Sequence, residues 1–89
     1  MREVNFKPRC LRDLKKIKRR HWNEKPLYEV LGTLMREGGL PPKFKPHKLK
    51  GVYAGLWECH IENDWLLIYD ITDSKVIVYR TGTHSDLFK

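Results

Sequence analysis

Two consecutive segments with helical periodicity constrain the fold of this chain more than any other feature. In residues 9–20, Leu11, Leu14 and Ile17 recur every three residues and Cys10 broadens the stripe, while Lys and Arg occupy most of the remaining positions. In residues 23–37 a second apolar stripe follows the full helical spacing, with Leu27, Val30, Leu31, Leu34 and Met35. Neither stripe can form a core by itself, so the two helices must pack on a sheet.

Turn and cap residues mark where these helices begin and end. Pro8 suits the first turn of the first helix, Asn23 is a candidate N-cap for the second, and Gly38-Gly39 ends it. Before them, residues 2–7 alternate apolar and polar side chains, which indicates a half-buried strand. The N-terminal half therefore predicts one strand followed by two amphipathic helices.

The C-terminal half supplies the sheet. Three runs rich in aromatic and β-branched residues follow a proline-rich loop and indicate strands at residues 55–62, 65–71 and 75–81. Asn63-Asp64 and Asp73-Ser74 separate these runs and are typical of tight turns, which predicts an antiparallel meander. We predict one α+β domain over residues 1–89: two N-terminal helices on a small antiparallel sheet, in the order β-α-α-β-β-β, with His47 in a loop or further short strand before the meander.

The composition predicts a soluble globular protein, with 40% hydrophobic and 33% charged residues. The longest apolar run, residues 65–69, is far shorter than the ~20 residues that span a bilayer, and no signal-peptide stretch follows Met1. We therefore expect a cytoplasmic protein without a membrane partner. In that reducing compartment Cys10 and Cys59 are interpreted as small buried hydrophobes rather than as a disulfide.

Positive charge is concentrated at the N-terminus. Residues 1–25 carry ten Lys and Arg against three acidic residues, whereas residues 26–89 carry eight of each sign. A basic helix of this density, with Lys15, Lys16 and Arg19 on it, is typical of surfaces that bind nucleic acid. The same charges also fit a solvated helix face that only keeps the protein in solution.

Three of the four histidines lie in separate segments of the C-terminal half: His47, His60 and His84. Glu58 and His60 are two residues apart in one predicted strand and project from the same face. In an antiparallel meander the end of the last strand lies beside the Asn63-Asp64 turn. We therefore expect His84, just beyond that strand, to lie close to Asp64.

This combination of side chains suits RNA cleavage without a metal ion. Histidine exchanges protons near neutral pH. One group would take the proton from a 2′-hydroxyl, another would protonate the leaving 5′-oxygen, and Arg80 would stabilise charge on the phosphate. A metal site built from the three histidines and Glu58 matches no closed zinc pattern, so no metal or other cofactor is expected.

Each of these residues also has a purely structural interpretation. A single strand histidine such as His60 is usually a half-exposed packing residue, and Glu58 and Asp64 fit surface charges. Trp65 fits a core aromatic better than a platform for a nucleobase. Phe88 is either docked in the core or stacked on a base.

Three blocks of the chain, residues 40–51, 58–69 and 80–88, resemble the YafQ branch of the RelE/ParE toxin superfamily in order and spacing. The likeness extends to Asp13-Leu14-Lys15-Lys16 and so covers nearly the whole chain. It implies a RelE-like microbial RNase fold and the toxin half of a toxin–antitoxin pair. The activity it implies is that of an mRNA interferase, an endoribonuclease that enters the ribosomal A site and cleaves translated mRNA, leaving a 2′,3′-cyclic phosphate.

The resemblance also implies partners and site residues. A cognate antitoxin would wrap the toxin, and the toxin would reach operator DNA only through it. By position, the catalytic set is His47, His60, Asp64 and His84. Trp65 and Phe88 match residues that support activity, and the expected substrate-binding set is Glu58, Trp65, Arg80, Phe88, Lys15, Lys16 and Arg19.

Two other functions stay open on the sequence. A ParE-like toxin that poisons DNA gyrase would share the fold, but it is not expected to carry the three histidines. A non-catalytic RNA- or ribosome-binding module would explain the basic helix and leave the histidines without a role. The sequence does not assign the general base and the general acid among the histidines, because burial and neighbouring charges set their pKa values.

Overall fold

The computed structural model describes residues 1–88, and its strands form one five-stranded sheet. The elements in chain order are β1 (Glu3–Phe6), α1 (Pro8–Arg19), α2 (Lys25–Glu37), β2 (His47–Lys48), β3 (Trp57–Glu62), β4 (Trp65–Ile71), β5 (Lys75–Gly82) and α3 (His84–Phe88). Short 3₁₀ turns at Pro42–Phe44 and Gly51–Tyr53 flank β2. The predicted order of two helices after one strand is confirmed, and the short strand at His47 is present.

The sheet is mixed rather than purely antiparallel. Its strand order is β1-β5-β4-β3-β2, and the four strands from β2 to β5 are antiparallel, as predicted for the meander. Strand β1 instead pairs in parallel with β5, with Val4 opposite Val76 and Phe6 opposite Val78. The antiparallel prediction is wrong at this edge because no hairpin turn joins β1 to a neighbouring strand. Two helices intervene, and the packing of α1 on β5 sets the direction of β1.

The main core lies between one face of the sheet and the two long helices. It is built from fully or nearly fully buried side chains of both layers, among them Ile17, Leu27, Val30, Leu34, Cys59, Leu67, Val76 and Val78. Cys10 and Cys59 are free thiols in this core, and burial raises the pKa of both to about 12. They therefore stay protonated and act as small apolar side chains, as the sequence predicted.

The buried stripe of α1 differs from the predicted one. Leu11 is 49% exposed, Leu14 is half-buried, and the inward positions are Cys10, Asp13 and Ile17. Asp13 is only 7% exposed because its carboxylate accepts hydrogen bonds from β5, as described below. The Asp13–Arg80 ion pair therefore lies at the centre of the buried face of α1, where the apolar periodicity predicted leucine side chains.

Most helix and strand ends lie close to the predicted positions. Gly38 ends α2 with a left-handed φ of 75°. Asn23 lies one residue before the N-cap position, although its Oδ1 accepts the backbone N–H of Lys25 at 3.1 Å. Strand β3 begins at Trp57 rather than at residue 55, because Gly55 has a φ of 88° and belongs to the turn before the strand.

The opposite face of the sheet carries a smaller apolar cluster. Leu66 and Ile68 of β4 are fully buried there beneath Leu87 of α3, with Tyr53 and Tyr79 packed at the edge. Helix α3 thus covers part of the face that α1 and α2 leave open. The same face carries Glu58 and His60, which lie opposite Ile68 and Leu66. Within residues 1–88, none of the helices has the length and apolar character that crossing a bilayer requires.

Candidate active site

Glu58 lies between two histidines on the open face of the sheet. His47 of β2 is directly opposite Glu58 of β3, and its Nε2 lies 3.2 Å from Glu58 Oε1. His60 projects from the same face of β3, with its Nε2 4.0 Å from the same oxygen. Glu58 is only 5% exposed, so it is placed to orient the two imidazoles rather than to be a surface charge.

The backbone determines which nitrogen of His47 carries a proton. His47 Nδ1 lies 2.8 Å from the carbonyl oxygen of Lys45, which can only accept a hydrogen bond. Nδ1 is therefore the donor, and Nε2 faces the Glu58 carboxylate. Lys45, whose carbonyl accepts this hydrogen bond, has a left-handed φ of 50°. Both ring nitrogens of His47 therefore have a polar partner, which fixes the orientation of the imidazole.

His84 and Asp64 form a second pair, as the antiparallel meander predicted. The backbone N–H and the Nδ1 of His84 both lie within hydrogen-bond distance of Asp64 Oδ1, at 2.9 and 2.6 Å. The backbone hydrogen bond and then the side-chain hydrogen bond from His84 hold the pKa of Asp64 below its usual range. The ionised carboxylate holds the proton on Nδ1 and leaves Nε2 of the 59% exposed ring facing solvent.

We call the set formed by His47, Glu58, His60, His84 and Asp64 the histidine row. The ring centroids of His60 and His84 are 6.2 Å apart, which joins the two pairs into one continuous surface. The Phe88 ring lies 6.2 Å beyond His84. Two cavities border the row: one of about 400 Å³ beside Lys43, Lys45 and His60, and one of about 300 Å³ beside Asp64 and Trp22.

Trp65 lies beneath this surface rather than on it. It is 4% exposed, its Nε1 donates to Thr81 Oγ1 at 2.9 Å, and its ring meets Trp22 edge to face at 5.1 Å. It therefore supports the turn that carries Asp64 from below. Phe88 by contrast is 47% exposed, so one face of its ring is open beside His84.

Arg80 is on the same face of the sheet, but its donors are already engaged. Its Nε and Nη2 donate to the two oxygens of Asp13 at 2.7 and 3.0 Å, and Nη1 donates to the Tyr53 hydroxyl at 3.1 Å. The Asp13 hydrogen bonds raise the pKa of Arg80. With 6% of the residue exposed, Arg80 joins α1 to β5 and to the Tyr53 loop.

The predicted cations of α1 divide into two groups. Lys15 and Arg19 are exposed, whereas Lys16 Nζ lies 3.7 Å from Asp86 Oδ1. Arg20 binds the same carboxylate with two hydrogen bonds of 2.8 and 2.9 Å. Asp86 belongs to α3, whose first residue is His84. The C-terminal end of α1 therefore anchors the helix that carries a site histidine.

Three residues that hold this face together, Asp13, Tyr53 and Asp86, are not among the site residues predicted from the sequence. Of these, only Asp13 has a sequence feature that indicates a buried polar contact. It is an acidic residue on the apolar stripe of α1, three residues after Cys10 and four before Ile17. Within residues 1–88, no group of three or more His, Cys, Asp and Glu side chains is arranged to hold a metal ion.

The Asp86 contacts predict a pH-dependent contribution to stability. The Arg20 hydrogen bonds hold the pKa of Asp86 well below its unfolded value of about 3.9, so the stabilisation is complete above that pH and is lost as the pH falls further. Asp86→Asn should lower the free energy of unfolding by about 1–3 kcal/mol at neutral pH, and the difference should shrink toward zero in acid. Urea unfolding across this pH range measures it, with the exposed Asp73→Asn as control. A pH-independent difference would contradict the assignment.

This chain is similar to known proteins along nearly its whole length. Residues 2–89 match the family described as the bacterial toxin of type II toxin–antitoxin systems, YafQ. The mRNA interferase toxin YafQ of Escherichia coli K12 is 34% identical over 88 residues, which cover 98% of this chain and 96% of that protein. Two of the similar solved structures are the E. coli DinJ–YafQ complex (TM-score 0.88, 32% identity, 100% of both chains) and a metal-bound toxin from Helicobacter pylori (0.87, 37%, 99% and 100%). The chain belongs to the YafQ family of toxins of type II toxin–antitoxin systems.

Proposed function

We propose that this toxin is an mRNA interferase, an endoribonuclease that cleaves translated mRNA by metal-independent acid–base catalysis at the histidine row. The observation that carries the proposal is the joining of the His84–Asp64 pair to His60 and the His47–Glu58 pair on one open surface. Three imidazoles held by two carboxylates supply both a proton acceptor and a proton donor within one site. The name of the E. coli relatives supports the same activity.

In the proposed reaction the 2′-hydroxyl of the scissile nucleotide attacks the adjacent phosphorus. One member of the catalytic set, His47, His60, Asp64 and His84, removes the hydroxyl proton. Another protonates the 5′-oxygen as its bond to phosphorus breaks. The products are a 2′,3′-cyclic phosphate and a 5′-hydroxyl, and water is not consumed in this step.

The other expected site residues take roles that follow from their placement. Phe88, with one face open beside His84, would stack on a nucleobase next to the scissile bond. Glu58 would orient His47 and His60 for the substrate. Arg80 and Trp65 would hold β5 and the Asp64 turn in position beneath the RNA, since neither side chain is open to solvent.

Two macromolecular partners follow from this proposal. The first is the ribosome, whose A site would present the mRNA and whose RNA would attract the basic face of α1. The second is a cognate antitoxin, supported by the solved complex of the E. coli relative with DinJ. We propose that the antitoxin neutralises the toxin and that operator DNA is bound only through it.

The exposed cations of α1 give a separate prediction. Substituting Glu for Lys15 and Arg19 should weaken ribosome binding and reduce its salt dependence, since fewer counterions are released when fewer phosphates are contacted. Lys16 is left unchanged because it contacts Asp86. Sedimentation of the toxin with ribosomes at several salt concentrations measures the effect. Unchanged binding would mean that these charges only keep the helix face solvated.

The proposed activity is tested by adding the purified toxin to actively translating ribosomes and mapping cuts in a reporter mRNA. We expect cuts in the translated region and none in the same RNA when translation initiation is blocked. A chelator at a level that spares the ribosome should leave the cleavage rate unchanged. Intact mRNA in the translating reaction would contradict the proposed nuclease activity. If the toxin nevertheless binds ribosomes, a non-catalytic binding module would be favoured.

A further inference from the structure

A cavity of about 480 Å³ lies on the same side of the molecule as the histidine row but outside it. It is open to solvent and is lined by residues from the start of α1, the Gly51–Tyr53 turn and β5: Lys7, Arg9, Arg12, Tyr53, Tyr79 and Arg80. The proposed reaction uses none of its three exposed cations. We propose that this cavity, the α1 cleft, is a second RNA subsite that binds the substrate strand on one side of the scissile bond.

The charge of the α1 cleft is uncompensated. Arg80 is neutralised by Asp13, but none of the ion pairs within residues 1–88 involves Lys7, Arg9 or Arg12. All three side chains are exposed. Three unpaired cations around one concave surface favour a polyanion, because each phosphate they neutralise releases counterions.

The cleft also offers aromatic surface. Tyr53 and Tyr79 are half-buried on its walls, and Lys7 Nζ lies 5.4 Å from the centre of the Tyr79 ring. Cations beside aromatic rings bind both parts of a single-stranded nucleotide, since the rings stack on bases while the cations contact phosphates. This combination favours single-stranded RNA over an acidic peptide, which would need only the cations.

The α1 cleft is continuous with the proposed catalytic surface. Tyr53 forms one wall of the cleft, and its ring meets Phe88 edge to face with centroids 5.8 Å apart. Phe88 in turn lies beside His84. The hydrogen bond from Arg80 holds the Tyr53 hydroxyl in place. An RNA strand passing His84 and Phe88 therefore meets Tyr53 next and then the cations of α1.

This subsite rests on the proposed nuclease function, and its test uses binding rather than cleavage. The probes are 2′-O-methyl RNAs, which cannot be cleaved because the 2′-oxygen is blocked: a dinucleotide and longer oligomers extended on the 5′ side or on the 3′ side. Affinity is measured by fluorescence anisotropy at several salt concentrations. The variant is Arg9→Gln/Arg12→Gln, and the control with equal loss of charge is Lys25→Gln/Arg36→Gln on the exposed side of α2.

For the wild type and the control, we expect extension in one direction to strengthen binding. In the Arg9→Gln/Arg12→Gln variant, the increase in affinity on extension should be about tenfold smaller at low salt. The slope of log affinity against log salt should be reduced by about one unit. Tyr79→Phe should keep the gain, because the ring remains. If the Arg9/Arg12 variant matches the control, the subsite is refuted while wild-type cleavage of translated mRNA still stands. Weakened antitoxin binding with unchanged RNA binding would also refute it and assign the cleft to the antitoxin.

Discussion

Replacing His84 with alanine should reduce mRNA cleavage by about 10²–10⁴-fold, the range for loss of one well-placed acid or base. The effect should fall on the chemical step, because the solvent-facing Nε2 is lost while Phe88 and the basic surfaces remain. The folded state should be retained, since the His84 side chain is 59% exposed and Leu87 still anchors α3. Single-turnover cleavage on translating ribosomes measures the rate, and thermal unfolding reports the fold.

The matched control is His21→Asn, which removes an exposed imidazole that lies outside the histidine row. Asparagine suits this position because residue 21 has a left-handed φ of 59°. We expect the control to cleave at the wild-type rate. A His84→Ala variant that cleaves as fast as this control, with an intact fold, would show that His84 is not part of the catalytic machinery.

The largest effect on stability should come from Asp13. Asp13→Ala removes the partner of a nearly buried guanidinium and also the acceptor of the Thr81 backbone N–H, which lies 3.1 Å from Asp13 Oδ2. Leaving a buried charge unpaired costs about 3–5 kcal/mol. Urea unfolding near neutral pH measures the loss. The exposed Asp73→Ala should change the free energy of unfolding by less than about 0.5 kcal/mol.

A second substitution separates the energetic cost of the unpaired charge from the cost of the lost packing. Arg80→Met in the Asp13→Ala background removes the orphaned guanidinium while keeping an unbranched side chain of similar length. We expect this double variant to be more stable than Asp13→Ala alone, because replacing both partners of a buried pair is far less costly than removing one. Equal or lower stability would show that Asp13 acts mainly by packing.

The two long helices and the meander were predictable because local patterns determine them, whereas the short helix α3 was not predicted. The stripe of α2 buries Leu27, Val30, Leu31 and Leu34 as its periodicity requires. The parallel pairing of β1 with β5 was not predictable in this way, since it depends on how α1 crosses the sheet and no turn residue records it. The inward orientation of the Asp13 side chain also depends on a distant residue, because its partner Arg80 lies 67 residues away in the chain.

The site was predictable where strand geometry linked its parts. Alternation along β3 placed Glu58 and His60 on one face, and the antiparallel meander brought His84 to Asp64. The alignment of His47 with Glu58 depends on the two-residue strand β2, which is too short to read from a pattern. The burial of Trp65 agrees with its interpretation as a core aromatic. The burial of Arg80 follows from its contacts with Asp13 and Tyr53, and so only the folded chain reveals it.

The chemical identity of the cleaved RNA ends distinguishes acid–base cleavage through the 2′-hydroxyl, as proposed for the histidine row, from hydrolysis by water. RNA cut by the wild-type toxin should carry a 2′,3′-cyclic phosphate on the upstream fragment and a 5′-hydroxyl on the downstream fragment, because the 2′-hydroxyl is the attacking group. Mass spectrometry of end-labelled fragments distinguishes these ends from the products of hydrolysis. A 5′-phosphate with a free 3′-hydroxyl would mean that water is the nucleophile and would contradict the account.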